Sequence, residues 1–334
     1  EAIEPFLFNL FKDPAIISLP GIFRIPLAKI MSRRRASTVR NIYDKIGGKS
    51  PLLEETQAQA EALQQKLLEK LGAETDDIGV FIAMRYWHPL TDEAVQAVKA
   101  FGPERILLLP LYPQYSATTT ASSIKEWHRQ AAAQELDKPT QAVCCYPRED
   151  GFISAVAGLL KPVLEKEADQ RHTRVLFSAH GLPKKIVAKG DPYQGQTRVT
   201  AKAIIETLGI PALDWAVCYQ SRVGPLEWIG PSLDAELERA VADGKGVIVV
   251  PIAFVSEHSE TLVELDMEYH KMADGLGVPA FVRVPTVSTS DHFISGLARV
   301  TAGALAGNSK TNSAEGRRLC PLEHGQCPLK PETT

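Results

Sequence analysis

A histidine closes the apolar run Leu176-Phe177-Ser178-Ala179-His180-Gly181-Leu182-Pro183. An imidazole changes charge near neutral pH, so at an open strand end it can take or release a proton. Further along, Glu257, Glu260, Glu264 and Glu268 fall at steps of three, four and four. On an α-helix these carboxylates would share one face. Like charges so spaced destabilise a helix by about 0.2–0.5 kcal/mol per pair. A solvated face tolerates that arrangement, and so does a path for a divalent cation, which hard carboxylate oxygens suit. His258 adds a nitrogen ligand for iron or zinc. Five cysteines, Cys144, Cys145, Cys218, Cys320 and Cys327, do not resemble a secreted disulfide framework. They point to a reducing, cytoplasmic setting.

Groups of this kind need elements that hold them at one crevice. Short apolar strands are expected at Ile78–Met84, Arg105–Leu111, Gln141–Tyr146, Arg174–Ala179, Asp214–Tyr219, Gly246–Ile252 and Ala280–Val284. They are rich in Val, Ile and Leu with little alternation, as strands buried on both faces are. Helical patterns lie between them at Thr56–Leu71, Thr91–Ala100, Ala121–Glu135, Phe152–Ala168, Gln196–Leu208 and Ser232–Asp243. The alternation gives a doubly wound α/β architecture with parallel sheets. Ligands of such sheets sit beyond the carboxyl ends of the strands. There the sequence places Met84, Arg85 and Tyr86; Tyr112 and Ser116; His180; Val223 and Trp228; and Phe254, Glu257, His258 and Glu260. Five strand ends rich in aromatic, basic and acidic groups describe one large cleft.

The chain has 334 residues, 44% hydrophobic and 23% charged, with a formal net charge of -3. The length suits about two domains at roughly 150 residues each. The charge gives no basis for nucleic-acid binding. No apolar run reaches the ~20 residues that span a bilayer, and no signal peptide is visible at the start.

Ser178 to Tyr193, with its Gly190-Asp191-Pro192-Tyr193 turn, resembles the signature segment of ferrochelatases. Tyr112-Pro-Gln-Tyr-Ser, Gln220-Ser-Arg-Val-Gly-Pro and Pro251-Ile-Ala-Phe-Val-Ser-Glu-His-Ser-Glu-Thr-Leu are similar to that family's motifs in the same order. The likeness runs from Pro5 to about Leu305. It implies a chelatase-like fold of two Rossmann-like halves with a porphyrin cleft between them. The halves are expected at residues 1–120, completed by 290–310, and at 121–289, with 311–334 as a tail. The implied reaction is insertion of ferrous iron, a substrate, into protoporphyrin IX to make haem. His180 and Glu260 are then the catalytic pair, with Glu257 and Glu264 as further metal ligands and Glu264 and Glu268 as a relay. Tyr112, Trp228, Phe254 and Met84 would grip the ring. Arg85, Ser116 and Tyr193 would meet the propionates, and Tyr86, Val223 and His258 complete the binding set.

Residues 16–35 combine apolar side chains with Arg33, Arg34 and Arg35, and Pro20 and Pro26 rule out one long helix there. An apolar lip beside a basic cluster suits peripheral contact with the inner face of a membrane. Residues 308–319 read as a polar, mobile linker. The family's Asn-x-Gly-Gly-Pro strand is not in the chain, and Glu1 falls just beyond its place, so the cleft is expected to be incomplete. Some relatives carry a [2Fe–2S] cluster on four cysteines. Here Ala117 replaces the internal cysteine of the animal enzymes, and Cys144, Cys145, Cys320 and Cys327 would have to supply the set. A chelatase for another metal or for coproporphyrin stays open, as does a porphyrin or haem carrier without chemistry. No Gly-x-Gly-x-x-Gly loop follows an expected strand, which weighs against a nucleotide enzyme.

Overall fold

The computed structural model describes residues 2–17, 19–72, 77–166, 172–222 and 224–330, which form two parallel sheets with helices packed against them. β1 (Ile106–Leu108), β2 (Thr140–Cys145) and β7 (Thr311–Ser313) make the first sheet in the order β1-β2-β7. β3 (Thr173–His180), β4 (Asp214–Gln220), β5 (Gly246–Pro251) and β6 (Phe281–Arg283) make the second in the order β4-β3-β5-β6. The expected α/β class and parallel pairing are therefore present.

β5 is buried along its whole length, and β3 is buried up to His180. The residues alternate between two helix layers, as strand geometry requires. Val175, Phe177, Ile248 and Val250 share a core with Phe152 and Leu160 of α6 (Asp150–Lys166) and Ile204 of α8 (Tyr193–Leu208). Leu176, Val247 and Val249 meet Leu233 and Leu237 of α9 (Leu233–Ala242) on the opposite face. Local signals set the helix ends. Gly209 follows α8 at φ 63°, a left-handed C-cap that other residues enter at a cost. Ser232 caps α9 by accepting from the Ala235 N–H at 3.2 Å.

The chain leaves β3 for β4 on one side, then returns to the other side of β3 for β5. Strand order therefore reverses between β3 and β5, and a crevice opens beyond their carboxyl ends. His180 closes β3 at that point. α3 (Leu52–Leu71) and α11 (Asp291–Ala306) pack together below it, and α11 also lies on α6 and β2.

Four expectations change. Ile78–Met84 is not a strand; its one pairing is a bridge from Met84 to Leu90. Its Ile78 and Val80 side chains still pack on the core. Apolar pattern reports burial, whereas a ladder needs a neighbouring backbone as well. Residues 308–319 are not wholly a linker, because Thr311–Ser313 pairs with β2 as β7. An edge strand pairs through its backbone, so polar side chains do not forbid it. β2 lies in the first sheet, beyond the division expected at residue 120.

The lip, finally, is helical. α1 (Ile3–Phe11) is followed by α2 (Gly21–Asp44), which runs through Pro26. Pro20 is the N-cap, where no helical N–H is needed. Pro26 sits in the second turn, and Leu7, Phe11 and Ala28 pack α1 onto α2 nearby, which offsets the lost hydrogen bond. Ile22 is 77% exposed, Phe23 65%, Ile25 52% and Ile30 50%. No helix among the described residues is long and apolar enough to cross a membrane.

Candidate active site at the strand ends

His180 is held by its neighbour. Its Nδ1 lies 2.7 Å from the Gly181 carbonyl oxygen, which can only accept, so Nδ1 carries the proton. In the neutral ring Nε2 then bears a free lone pair. It faces Oε2 of Glu260 at 3.9 Å. That oxygen is buried and has no hydrogen-bond partner. Gly181 permits the close packing behind the histidine. A Cβ there would stand 2.9 Å from the Gln220 carbonyl oxygen and 3.2 Å from the Trp228 ring.

Glu260 is positioned from below by α3. The buried Gln59 side chain donates to Val255 O at 2.9 Å and Ser288 O at 3.0 Å, and accepts from Ser256 Oγ at 3.1 Å. These bonds fix the turn after β5. His258 then accepts the Glu260 N–H on Nδ1 at 3.0 Å, and its ring meets Phe254 edge-on at 4.6 Å. Burial pushes its pKa down against the pull of Glu260 and Glu257. It therefore acts as a neutral cap on the next helix, with Nε2 as its N–H.

That helix, Glu260–Tyr269, is a π-helix. Such wider turns are rare and are frequent at functional sites. Glu260, Glu264 and Glu268 lie on it and Glu257 just before it, and the four part company. Glu257 turns to Arg283 Nη1 at 2.8 Å and the Thr286 N–H at 2.9 Å. Burial would raise its pKa, but the Thr261 hydroxyl, Arg283 and that N–H outweigh burial and leave it lowered. Glu264 accepts from Ser221 N at 2.8 Å, Ser221 Oγ at 2.6 Å and Gln220 Nε2 at 3.2 Å. Burial raises its pKa; Ser221 opposes this and the Glu260 charge adds to it. Glu268 pairs with Lys45 at the surface, 3.5 Å away. The expected metal set thus divides. His180 and Glu260 face each other, Glu264 stands one residue behind through Gln220, and Glu257 is engaged elsewhere. Among the described residues no three His, Cys, Asp or Glu side chains converge to hold one metal ion.

The expected ring contacts also divide. Tyr112 is exposed, and Phe254, Trp228 and Met84 are half-buried. Arg85 forms an ion pair with the buried Asp13 and donates to Ser122 Oγ at 3.1 Å; Tyr86 also donates to Asp13, at 3.0 Å. Ser116 is buried and donates to Asp191 Oδ2 at 2.9 Å, and Tyr193 is buried with its N–H on Asp191 Oδ1. Ser116 and Tyr193 therefore build the wall behind the crevice. Tyr193 reaches the His180 backbone from there. Val223 lies outside the described residues. Three residues escaped the sequence reading. Asp13 anchors Arg85. Gln59 fixes the Glu260 turn. Tyr43 of α2 hydrogen-bonds Ser259 close to Glu260 and has its pKa raised by burial. None carries a local sequence signal, since each acts across more than thirty residues of chain.

The tail brings a second constellation together. Cys144 and Cys145 have their sulfurs 3.3 Å apart. Gln196 Nε2 donates to Cys145 Sγ at 3.5 Å and Cys320 Sγ at 3.2 Å. Cys320 in turn hydrogen-bonds Cys327, whose pKa that bond lowers. Arg318 folds the segment by donating to the carbonyls of Cys320, Pro321, His324 and Leu329 at 2.8–2.9 Å. Cys218 is buried separately in β4.

Comparison with known proteins completes these observations. A sequence profile of the family described as "Ferrochelatase" matches residues 1–305. The chain is 50% identical over 328 residues to "Ferrochelatase" of Phenylobacterium zucineum (strain HLK1), covering 98% of this chain and 93% of that one. It is 47% identical over 331 residues to the protein of the same name from Caulobacter vibrioides (strain NA1000 / CB15N), covering 99% and 93%. It is 45% identical over 329 residues to that of Pelagibacter ubique (strain HTCC1062), covering 98% and 94%. Among solved structures, the sirohydrochlorin chelatase SirB from Bacillus subtilis subspecies spizizenii in complex with cobalt has a TM-score of 0.48 at 16% identity. The match covers 74% of this chain and 89% of that one.

Proposed function

The chain belongs to the ferrochelatase family, enzymes that insert ferrous iron into protoporphyrin IX in haem biosynthesis, and from that premise we propose that His180 and Glu260 handle the protons. Insertion replaces two pyrrole N–H protons with one Fe²⁺, so two protons must leave as the ion enters. His180 Nε2 accepts a pyrrole proton. The imidazolium so formed is stabilised by the Glu260 carboxylate, a charge-assisted contact stronger than a neutral one. Glu260 then takes the proton from the imidazolium and Glu264, behind it, receives it onward, which frees Nε2 to accept the second pyrrole proton. The observation that carries this reading is the orphaned Oε2 of Glu260 standing 3.9 Å from a free imidazole nitrogen.

We assign the ring to the space between the half bearing β1, β2 and β7 and the half bearing β3 to β6. Tyr112, Trp228 and Phe254 supply apolar contact there. Arg85, with its other face on Asp13, is the cation for a propionate. The test is an anaerobic assay that pairs Fe²⁺ or Co²⁺ with protoporphyrin or coproporphyrin and follows the loss of porphyrin fluorescence. Turnover with Fe²⁺ and protoporphyrin is expected. Turnover with the other pairs alone, or tight porphyrin binding without turnover, overturns the reading.

The lip of residues 16–35 is proposed to rest on the cytoplasmic face of a membrane. The exposed Ile22, Phe23, Ile25 and Ile30 beside Arg33, Arg34 and Arg35 support this. Flotation with vesicles containing anionic lipid should carry the protein upward, and Ile22→Ser/Phe23→Ser should reduce that. Recovery of all wild-type protein in the bottom fraction argues against membrane contact.

The tail thiols are the candidate ligands for an iron–sulfur cluster, although among the described residues no three of them converge on one metal ion. Cys144, Cys145, Cys320 and Cys327 form two adjacent pairs linked by the Gln196 amide, and a [2Fe–2S] centre takes four thiolates. We propose that these four would hold it. When bound, such a cluster supplies one-electron redox capacity. Gln196 meanwhile holds the loop after β1 by accepting the Tyr115 N–H at 2.7 Å.

A further inference from the structure

Gln220, the last residue of β4, is buried, and every polar atom of its side chain is bonded. Oε1 accepts from Ser178 Oγ at 2.7 Å. Nε2 donates to the Glu260 main-chain oxygen and to Glu264 Oε2, both at 3.2 Å. Its main-chain oxygen accepts the Gly181 N–H at 2.8 Å, and His180 is its register partner across β3. One side chain thus ties the strand that bears His180 to the helix that bears Glu260. The next residue shares the task. Ser221 sits at φ 61°, a left-handed conformation uncommon outside glycine, and from there gives Glu264 both its N–H and its hydroxyl.

The amide orientation is dictated by these partners. Ser178 Oγ donates to Oε1, which leaves the two N–H groups for two acceptors. A flipped amide would put oxygen against the Glu264 carboxylate. We propose that Gln220 is a positioning residue of the iron-insertion reaction, which through Ser178 and Glu264 sets the separation of His180 from Glu260. This rests on the reading of His180 and Glu260 as the proton-handling pair. A buried amide that merely satisfied the core would need no bond to both the Glu260 main chain and the Glu264 carboxylate.

The test is Gln220→Glu, which keeps the shape and the acceptor for Ser178 but loses both donors. The titratable and charged groups around the new carboxyl are Glu260, Glu264 and Tyr269 of the π-helix, His180 of β3, Tyr193 of α8, and Tyr219 and Arg222 beside it. Against the Glu264 carboxylate and the Glu260 main-chain oxygen it binds a proton more readily than an isolated glutamate. A protonated carboxyl regains one donor. Activity relative to wild type should therefore be lowest at high pH and recover as pH falls. At pH 8 kcat is expected to fall about tenfold, since leaving buried acceptors unpaired costs on the order of one such step. Porphyrin affinity, read by fluorescence quenching, should stay within about twofold, as expected when kcat alone responds.

A Gln220→Glu protein with wild-type kcat at every pH overturns the proposal. So does a pH-independent loss of kcat accompanied by weaker porphyrin binding, which marks a structural role alone. Should Gln220→Glu fail to fold, Ser178→Ala decides. It removes one hydroxyl, and lower kcat with unchanged porphyrin binding supports the proposal while unchanged kcat overturns it. His180→Ala, assayed alongside, separates the two readings. If it turns over like wild type, the proton-handling pair falls and the positioning role with it. If it is inactive while Gln220→Glu is normal, only the positioning role falls.

Discussion

Replacing His180 with alanine is expected to lower kcat for iron insertion by about 10²–10⁴-fold, the range general-base catalysis supplies, with porphyrin affinity little changed. The side chain is half-exposed at the crevice, so its loss leaves no cavity in the core. Its one hydrogen bond runs to the neighbouring Gly181 carbonyl, which solvent can replace. The loss should therefore fall on the step that removes pyrrole protons. Glu260→Gln keeps the shape and removes the charge opposite Nε2. Its effect should be smaller than that of His180→Ala. The double variant should be little worse than His180→Ala alone, because the carboxylate acts through the imidazolium and residues working as a unit are not additive. Stopped-flow fluorescence, which separates porphyrin binding from metallation, measures both quantities. A His180→Ala enzyme within threefold of wild type in kcat would remove the histidine from the chemistry. Full additivity in the double variant would show that Glu260 acts apart from it.

The second large effect is spectroscopic. Protein purified anaerobically with iron available should be coloured and carry about two iron atoms and two inorganic sulfides per chain, the content of one [2Fe–2S] centre on four thiolates. Cys327→Ser should lose that absorption entirely, since a hydroxyl replaces one of four ligands. Cys218→Ser should keep it, because that sulfur lies in β4 away from the tail. Colourless wild-type protein under these conditions would sink the assignment of the four thiols. A Cys327→Ser protein as coloured as wild type would do the same.

What the residues alone revealed follows a physical line. The strand ends that bring His180 and Glu260 to one crevice were legible because buried Val/Ile/Leu runs are the plainest signal in the chain, whereas the pairing of the two residues came from the resemblance to ferrochelatases. The helices between them were similarly plain. The glutamate stripe was legible as a cluster but not in its parts, because its spacing was read on an α-helix and the segment folds as a π-helix. Where Glu260, Glu264 and Glu268 point is set by that wider winding, and Glu257, which precedes the helix, is set by Arg283 far along the chain. Asp13 and Gln59 were invisible for the same reason, and Gln220 was legible only as the start of a motif. A buried polar residue looks like any other until its distant acceptors are known. The nearness of Cys320 to Cys145 was likewise hidden, because it depends on the Gln196 amide that bonds both sulfurs. Pro26 misled because helix breaking is a local preference, and the packing of α1 on α2 overrides it.

The first sheet is stitched together in an unusual order of time. β1 and β2 are neighbours in sequence, but β7, which completes the sheet, pairs Thr311 with Ala142 across more than 160 residues. The four strands of the second sheet are made between those two events. During synthesis the β2 edge therefore stands open while the entire His180 half is translated and can close on itself. At roughly 5–20 residues per second, that interval lasts about ten to thirty seconds. An open edge of hydrogen-bonding groups is a template for the wrong partner. In this chain it ends in two thiols. The nascent protein thus exposes two thiols on an open strand edge until the last strand arrives to cover them. A chaperone that binds extended β edges would find its natural substrate in the half-made enzyme rather than in the finished one.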